Sequence, residues 1–145
     1  MEAFHFLMKK IRVLIADDNP GVRTGIRRLL ERSSQIEVVG EVADGYEALE
    51  FIKNHHPDIL LLDMEMPNLN GLGVLQKLQD IPDPVRVLVL SAYIEKEFVH
   101  GVLDYGAAGY LTKDDTVLHL VDTIHRVANG ETGLFSPKVR KRMHN

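Results

Sequence analysis

The segment Asp58-Ile59-Leu60-Leu61-Leu62-Asp63 constrains this chain more than any other. Four consecutive aliphatic residues between two acids are too few for a helix of their own. They also lack the in–out alternation of a half-solvated strand, so they read as a strand buried on both faces. Such a strand needs a layer of helices on each side. That demand selects a three-layer α/β domain built on a parallel sheet. Four other runs have strand character: Ile11 to Ala16, Ile36 to Ala43, Val85 to Leu90 and Ala108 to Leu111.

A helical pattern follows each run. Asn19 is placed to cap the first helix, with Pro20 at its first position and Val22, Ile26, Leu29 and Leu30 on one face. Asp44-Gly45-Tyr46-Glu47 resembles a capping box ahead of Ala48, Leu49 and Ile52. Leu72, Leu75 and Leu78 mark a third helix, and Phe98, Val99, Val102 and Leu103 a fourth that stops at Gly106. Asp114 or Asp115 is expected to cap the last helix, which carries Leu120, Val121, Ile124, Val127 and Ala128 and ends at Gly130. Five βα units in succession predict a five-stranded parallel sheet in the flavodoxin-like order 2-1-3-4-5. Residues 1–9 read as an N-terminal extension, 10–131 as the domain and 132–145 as a basic linker.

Composition narrows the function. A length of 145 residues suits one domain, and 45% apolar with 26% charged residues is globular rather than disordered. The absence of cysteine removes disulfides and thiolate metal sites and fits a cytoplasmic location. No apolar run approaches the ~18 residues that span a bilayer, so no membrane partner is expected. Net charge is −4, and four basic residues (Lys138, Arg140, Lys141, Arg142) cluster after Ser136. The first 135 residues therefore hold 13 basic and 21 acidic side chains, a poor surface for nucleic acid. The seven histidines show no metal-ligand spacing.

Chemistry concentrates at the strand ends. Asp17 and Asp18 follow the first strand, Asp63 the third, Ser91 the fourth and Lys113 the fifth. Open α/β sheets bind ligands at the carboxyl ends of their strands, where strands one and three are neighbours. Three converging carboxylates repel one another unless a cation lies among them, and an all-oxygen set suits Mg²⁺. With a lysine and a hydroxyl beside it, this crevice suits a phosphoryl group. Asp63 is the candidate nucleophile, because it stands alone while Asp17 and Asp18 are adjacent. Each residue by itself has an ordinary reading as a cap, turn or solvated residue. Their order and common placement carry the functional one.

The ordered set resembles the receiver domain of two-component response regulators. It comprises Asp17-Asp18, Asp63 with Met66-Pro67 and Gly71, Ser91-Ala92, and Gly109-Tyr110-Leu111-Thr112-Lys113. Ile15-Ala16-Asp17-Asp18, Gly40-Glu41, Lys113-Asp114 and Ser136-Pro137 resemble the NarL/LuxR type. The resemblance implies that Asp63 accepts a phosphoryl group from a sensor histidine kinase. It implies that Asp17, Asp18, Asp63 and the main-chain carbonyl of Glu65 hold Mg²⁺. Ser91, Ala92 and Lys113 would bind the phosphoryl group, with Tyr110 following Ser91 inward as a switch. It implies a regulatory domain that catalyses only its own phosphorylation and dephosphorylation. Residues 132–145 would lead to a C-terminal DNA-binding output domain outside this sequence. A homodimer would use either the face of the first and fifth helices or that of the fourth helix, fifth strand and fifth helix. Asp114 stands where many receivers have proline, which concerns subtype. Glu65 and Tyr93 occupy positions that influence phosphoryl lifetime in the family.

Three other functions compete with this one. A haloacid-dehalogenase-like phosphatase also wants an acid two residues past its nucleophile, and Glu65 is there, but the Asp17-Asp18 pair is not its pattern. A flavin-binding module wants a Ser/Thr/Gly-rich loop where this chain has acids. A bare docking module has no use for the full set. The Arg23, Arg27 and Arg28 cluster reads as a solvated face or part of a dimer surface.

Overall fold

A computed structural model describes residues 9–82, 85–92 and 94–143. Most of the expected N-terminal extension, and Tyr93, lie outside these residues. The elements alternate as β1 (Ile11–Ala16), α1 (Pro20–Leu30), β2 (Ile36–Val42), α2 (Gly45–His55), β3 (Ile59–Leu62), α3 (Gly71–Leu78), β4 (Arg86–Ser91), α4 (Lys96–Asp104), β5 (Gly109–Thr112), a 3₁₀ turn (Lys113–Asp115), α5 (Thr116–Ala128), β6 (Leu134–Phe135) and α6 (Pro137–Met143). The sheet is parallel throughout, in the order β2-β1-β3-β4-β5-β6.

β3 accounts for the layering. All four of its residues are buried. Leu60 and Leu62 join Leu49 and Ile52 of α2, Val74 and Leu75 of α3, and Val99 and Val102 of α4 in one core. Ile59 and Leu61 face the other way, onto Ile26 and Leu30 of α1 and Leu120, Ile124 and Val127 of α5. Successive strand side chains point to opposite faces, so one apolar run serves two cores.

The helix starts follow local chemistry. Asn19 Oδ1 accepts from the amides of Gly21 and Val22 at 2.9 and 3.1 Å. Asp44 accepts from the Glu47 amide, and Asn70 from that of Gly73, each at 2.9 Å. α5 differs from expectation. Asp115 precedes it without capping it by its side chain. Its carboxylate instead turns back to the Thr112 hydroxyl, 2.5 Å away, because a 3₁₀ turn intervenes. Gly130 ends the α5 segment at φ +92°, a conformation that disfavours any side chain.

The sheet has a sixth strand beyond the five expected. Leu134 and Phe135 pair with Gly109 and Tyr110 of β5. The stretch read as a linker therefore packs on the domain. Val139 of α6 is fully buried in the same core as Tyr110, and Met143 packs against that core. Arg142 Nε donates to the Ile94 carbonyl at 3.2 Å, and Lys138 pairs with Asp114 at 3.2 Å. A two-residue strand offers no periodicity, and the basic residues of α6 mask its single buried valine. No helix among the described residues is long and apolar enough to cross a membrane.

Candidate functional site

Sheet register builds the site. Ala16 of β1 lies opposite Leu62 of β3, so the next residues, Asp17 and Asp63, leave the sheet side by side. The Asp63 amide donates to the Ala16 carbonyl at 3.0 Å, which holds the two strand ends together. One strand further on, Ser91 of β4 lies opposite Thr112 of β5, and Lys113 follows. Gly71 permits a close loop return behind Asp63. A Cβ there would stand 2.6 Å from the Asp63 carbonyl oxygen and 2.7 Å from Met64 Cα.

Asp17, Asp63 and Ser91 are buried, whereas Asp18 is exposed. Asp17, Asp18 and Asp63 each offer a carboxylate oxygen within 4.8 Å of the others. The Lys113 ammonium stands 2.8 Å from Asp17 Oδ2 and 3.7 Å from Asp63 Oδ2. Asp17 Oδ1 also accepts from the Asn19 amide at 2.9 Å, and Asp63 Oδ1 from the Glu65 amide at 3.2 Å. The structure thus joins Glu65 to the site by its main-chain N–H. Ala92, next to Ser91 in sequence, is exposed, and Tyr110 is fully buried, its phenol hydrogen-bonded to the Ser91 side chain.

Burial, then the charge of Asp17, pushes Asp63 up to about 6, against the opposing pull of Lys113 and the Glu65 amide. For Lys113, burial works against the charged form, but the bond to Asp17 and the charges of Asp63 and Asp18 outweigh it and raise its pKa. Burial pushes Tyr110 up to about 12, against the opposing effect of its bond to Ser91, so its hydroxyl stays protonated. One lysine beside three carboxylates leaves an excess of negative charge. A hard divalent cation with oxygen ligands, such as Mg²⁺, fits that set.

Of the five polar positions expected at strand ends, Asp17, Asp18, Asp63 and Lys113 come together, while Ser91 ends the neighbouring strand with its side chain bonded to Tyr110. Arg23 also bears on the crevice, held by Glu41, though sequence reasoning placed it on a solvated or dimer face. Arg23 Nη1 donates to the Asp17 carbonyl at 2.7 Å, and its Nε lies 3.4 Å from Glu41 Oε1. Arg27 also pairs with Glu41. These arginines are therefore engaged rather than a merely solvated face, while Arg28 is exposed. The available signal was Glu41 itself, an acid inside a strand, where acids are depleted.

The response regulator receiver domain family matches residues 13–125. A probable transcriptional regulatory protein NarL of Mycobacterium tuberculosis is 43% identical over 122 residues, 84% of this chain and 56% of that protein. The nitrate/nitrite response regulator protein NarL of Escherichia coli is 39% identical over 119 residues, 82% of this chain and 55% of that protein. The solved receiver domain of the M. tuberculosis NarL superimposes with a TM-score of 0.80 at 42% identity, covering 85% of this chain and 99% of that one. A LuxR-family two-component response regulator from Aurantimonas sp. gives 0.86 at 29% identity, covering 94% and 96%. The chain thus spans little more than half the length of these curated relatives.

Proposed function

Because this chain belongs to the response regulator receiver domain family, with NarL-type regulators among its relatives, we propose that it accepts a phosphoryl group on Asp63 and uses it as a regulatory signal. The observation that carries this reading is the convergence of Asp17, Asp18 and Asp63 around one ammonium at the carboxyl edge of the sheet.

Asp17, Asp18, Asp63 and the main-chain carbonyl of Glu65 would hold Mg²⁺. When bound, the ion supplies the positive charge that offsets the carboxylates and the phosphoryl oxygens. An Asp63 carboxylate oxygen attacks the phosphorus of a phosphohistidine on a sensor kinase. The new O–P bond forms as the P–N bond breaks, and the departing imidazole keeps the electron pair and takes a proton. Lys113 then shifts its ammonium from the carboxylates toward the phosphoryl oxygens. Ser91 donates a hydrogen bond to one of those oxygens, beside the Ala92 main chain. That move changes its bond to Tyr110, whose burial transmits the change into the α4–β5 core. Return of the acyl phosphate to carboxylate by water resets the domain.

The relatives that carry the name transcriptional regulatory protein are about one and a half times as long as this chain. The parent protein would then bind DNA through an output domain that follows α6, and phosphorylation would govern it through a homodimer face. Intact mass after incubation with acetyl phosphate tests the chemistry. A single labile adduct that needs Mg²⁺ and is lost in Asp63→Asn supports the proposal. No adduct on the folded wild-type chain contradicts it.

A further inference from the structure

The Asp17–Asp18 loop carries two acids that repel each other and Asp63, so something must hold it in place. Among the described residues, two tethers reach its main chain from outside the loop. The Asp17 amide donates to the Val42 carbonyl at 3.1 Å, and the Asp17 carbonyl accepts from Arg23 Nη1 at 2.7 Å. Arg23 brings a full positive charge, on a side chain 19% exposed, onto the main chain of one of the crevice acids. Left to itself, that guanidinium would be drawn onto the carboxylates and compete with any cation there. It is not on them. Its Nε lies 3.4 Å from Glu41 Oε1, near the carboxyl end of β2, and Glu41 also engages Arg27. Glu41 thus anchors Arg23 from one side while Arg23 holds a main-chain oxygen on the other.

We propose that Arg23 is a positioning residue for the metal-binding crevice, and that Glu41 keeps its guanidinium on the Asp17 carbonyl and away from the carboxylates. The proposal rests on the Mg²⁺ reading above. Supports one layer behind metal ligands commonly change affinity on the order of tenfold when removed. Lysine cannot replace Arg23, because one ammonium on a flexible stem does not reach a carbonyl and a carboxylate in fixed geometry.

Two readouts test this on the purified chain. In the chelated protein, hydrogen exchange at the Asn19 amide reports the loop without metal. Protection falls in Arg23→Gln and in Glu41→Gln, and unchanged protection in both overturns the proposal whatever Mg²⁺ does. With MgCl₂, calorimetric affinity falls on the order of tenfold in either variant. The maximal rate of acetyl phosphate labelling returns at saturating Mg²⁺. Arg23→Lys does not rescue, and Glu41→Gln adds no further loss in an Arg23→Gln background. Additive losses would instead make Glu41 a distant charge acting for itself and would overturn the coupling. A wild-type chain that binds no Mg²⁺ contradicts phosphoryl acceptance on Asp63 with Mg²⁺, while the exchange readout still decides on loop positioning.

Discussion

Lys113 and Asp17 form the tightest ion pair of the crevice, with Nζ 2.8 Å from Oδ2, although Asp63 is the residue on which the chemistry is placed. Asp63 stands at 3.7 Å from the same ammonium. The lysine therefore serves first as the counter-ion of the buried Asp17 carboxylate, and only by a short shift does it serve Asp63. That division leaves Asp63 as the less compensated acid of the pair.

Lys113→Met should accordingly destabilise the metal-free protein. Stripping a partner from a buried carboxylate costs about 3–5 kcal/mol, and the partial exposure of Lys113 reduces this to about 1–3 kcal/mol. Urea unfolding in the presence of a chelator measures the loss. Saturating Mg²⁺ should narrow the gap between variant and wild type, since a cation then fills the vacated charge.

Asp63 makes a pH prediction for the chelated protein. Its folded value, about 6, lies above the model-peptide value of 3.8. Between those values the folded state binds more protons than the unfolded one, so stability falls as pH rises through about 4 to 6 and levels off above. The total is about 2–3 kcal/mol. Asp63→Asn removes this slope and should be the more stable protein at neutral pH, as read by unfolding curves across that range.

Gly71→Ala should lose stability although alanine is the better helix former. Its Cβ would meet the main chain of Asp63 and Met64, which cannot swing away as a side chain tip would. Overpacking of this kind costs about 1–3 kcal/mol. A matching loss of Mg²⁺ affinity would follow from displacement of Asp63.

Val139→Ala tests whether the C-terminal helix belongs to the folded unit. Val139 is fully buried, and truncating a core aliphatic of this size costs about 1–3 kcal/mol. A single cooperative transition with a lower midpoint is expected. An unchanged midpoint would mean that α6 is not seated on the core.

Much of this molecule is legible in its sequence because the signals are local. Ile59 to Leu62 announce a doubly buried strand, and Asn19, Asp44 and Asn70 cap the helices that follow their strands. Strand order then brings Asp17 and Asp63 together. What escapes is what depends on distance through space. Leu134 and Phe135 acquire meaning only against β5, Val139 only against Tyr110, and Arg23 only once Glu41 is seen across the gap between α1 and β2. Asp115 shows a local rule overridden, since its carboxylate finds the Thr112 hydroxyl before the helix N-terminus.

The most direct measurement is reductive trapping of the acyl phosphate. The chain is labelled with acetyl phosphate and Mg²⁺, reduced with borohydride, digested and sequenced by mass spectrometry. Homoserine is expected at position 63 alone, dependent on Mg²⁺ and strongly diminished in Lys113→Met. Homoserine at Asp17 or Asp18, or at no position in the folded wild-type chain, would contradict phosphoryl acceptance on Asp63.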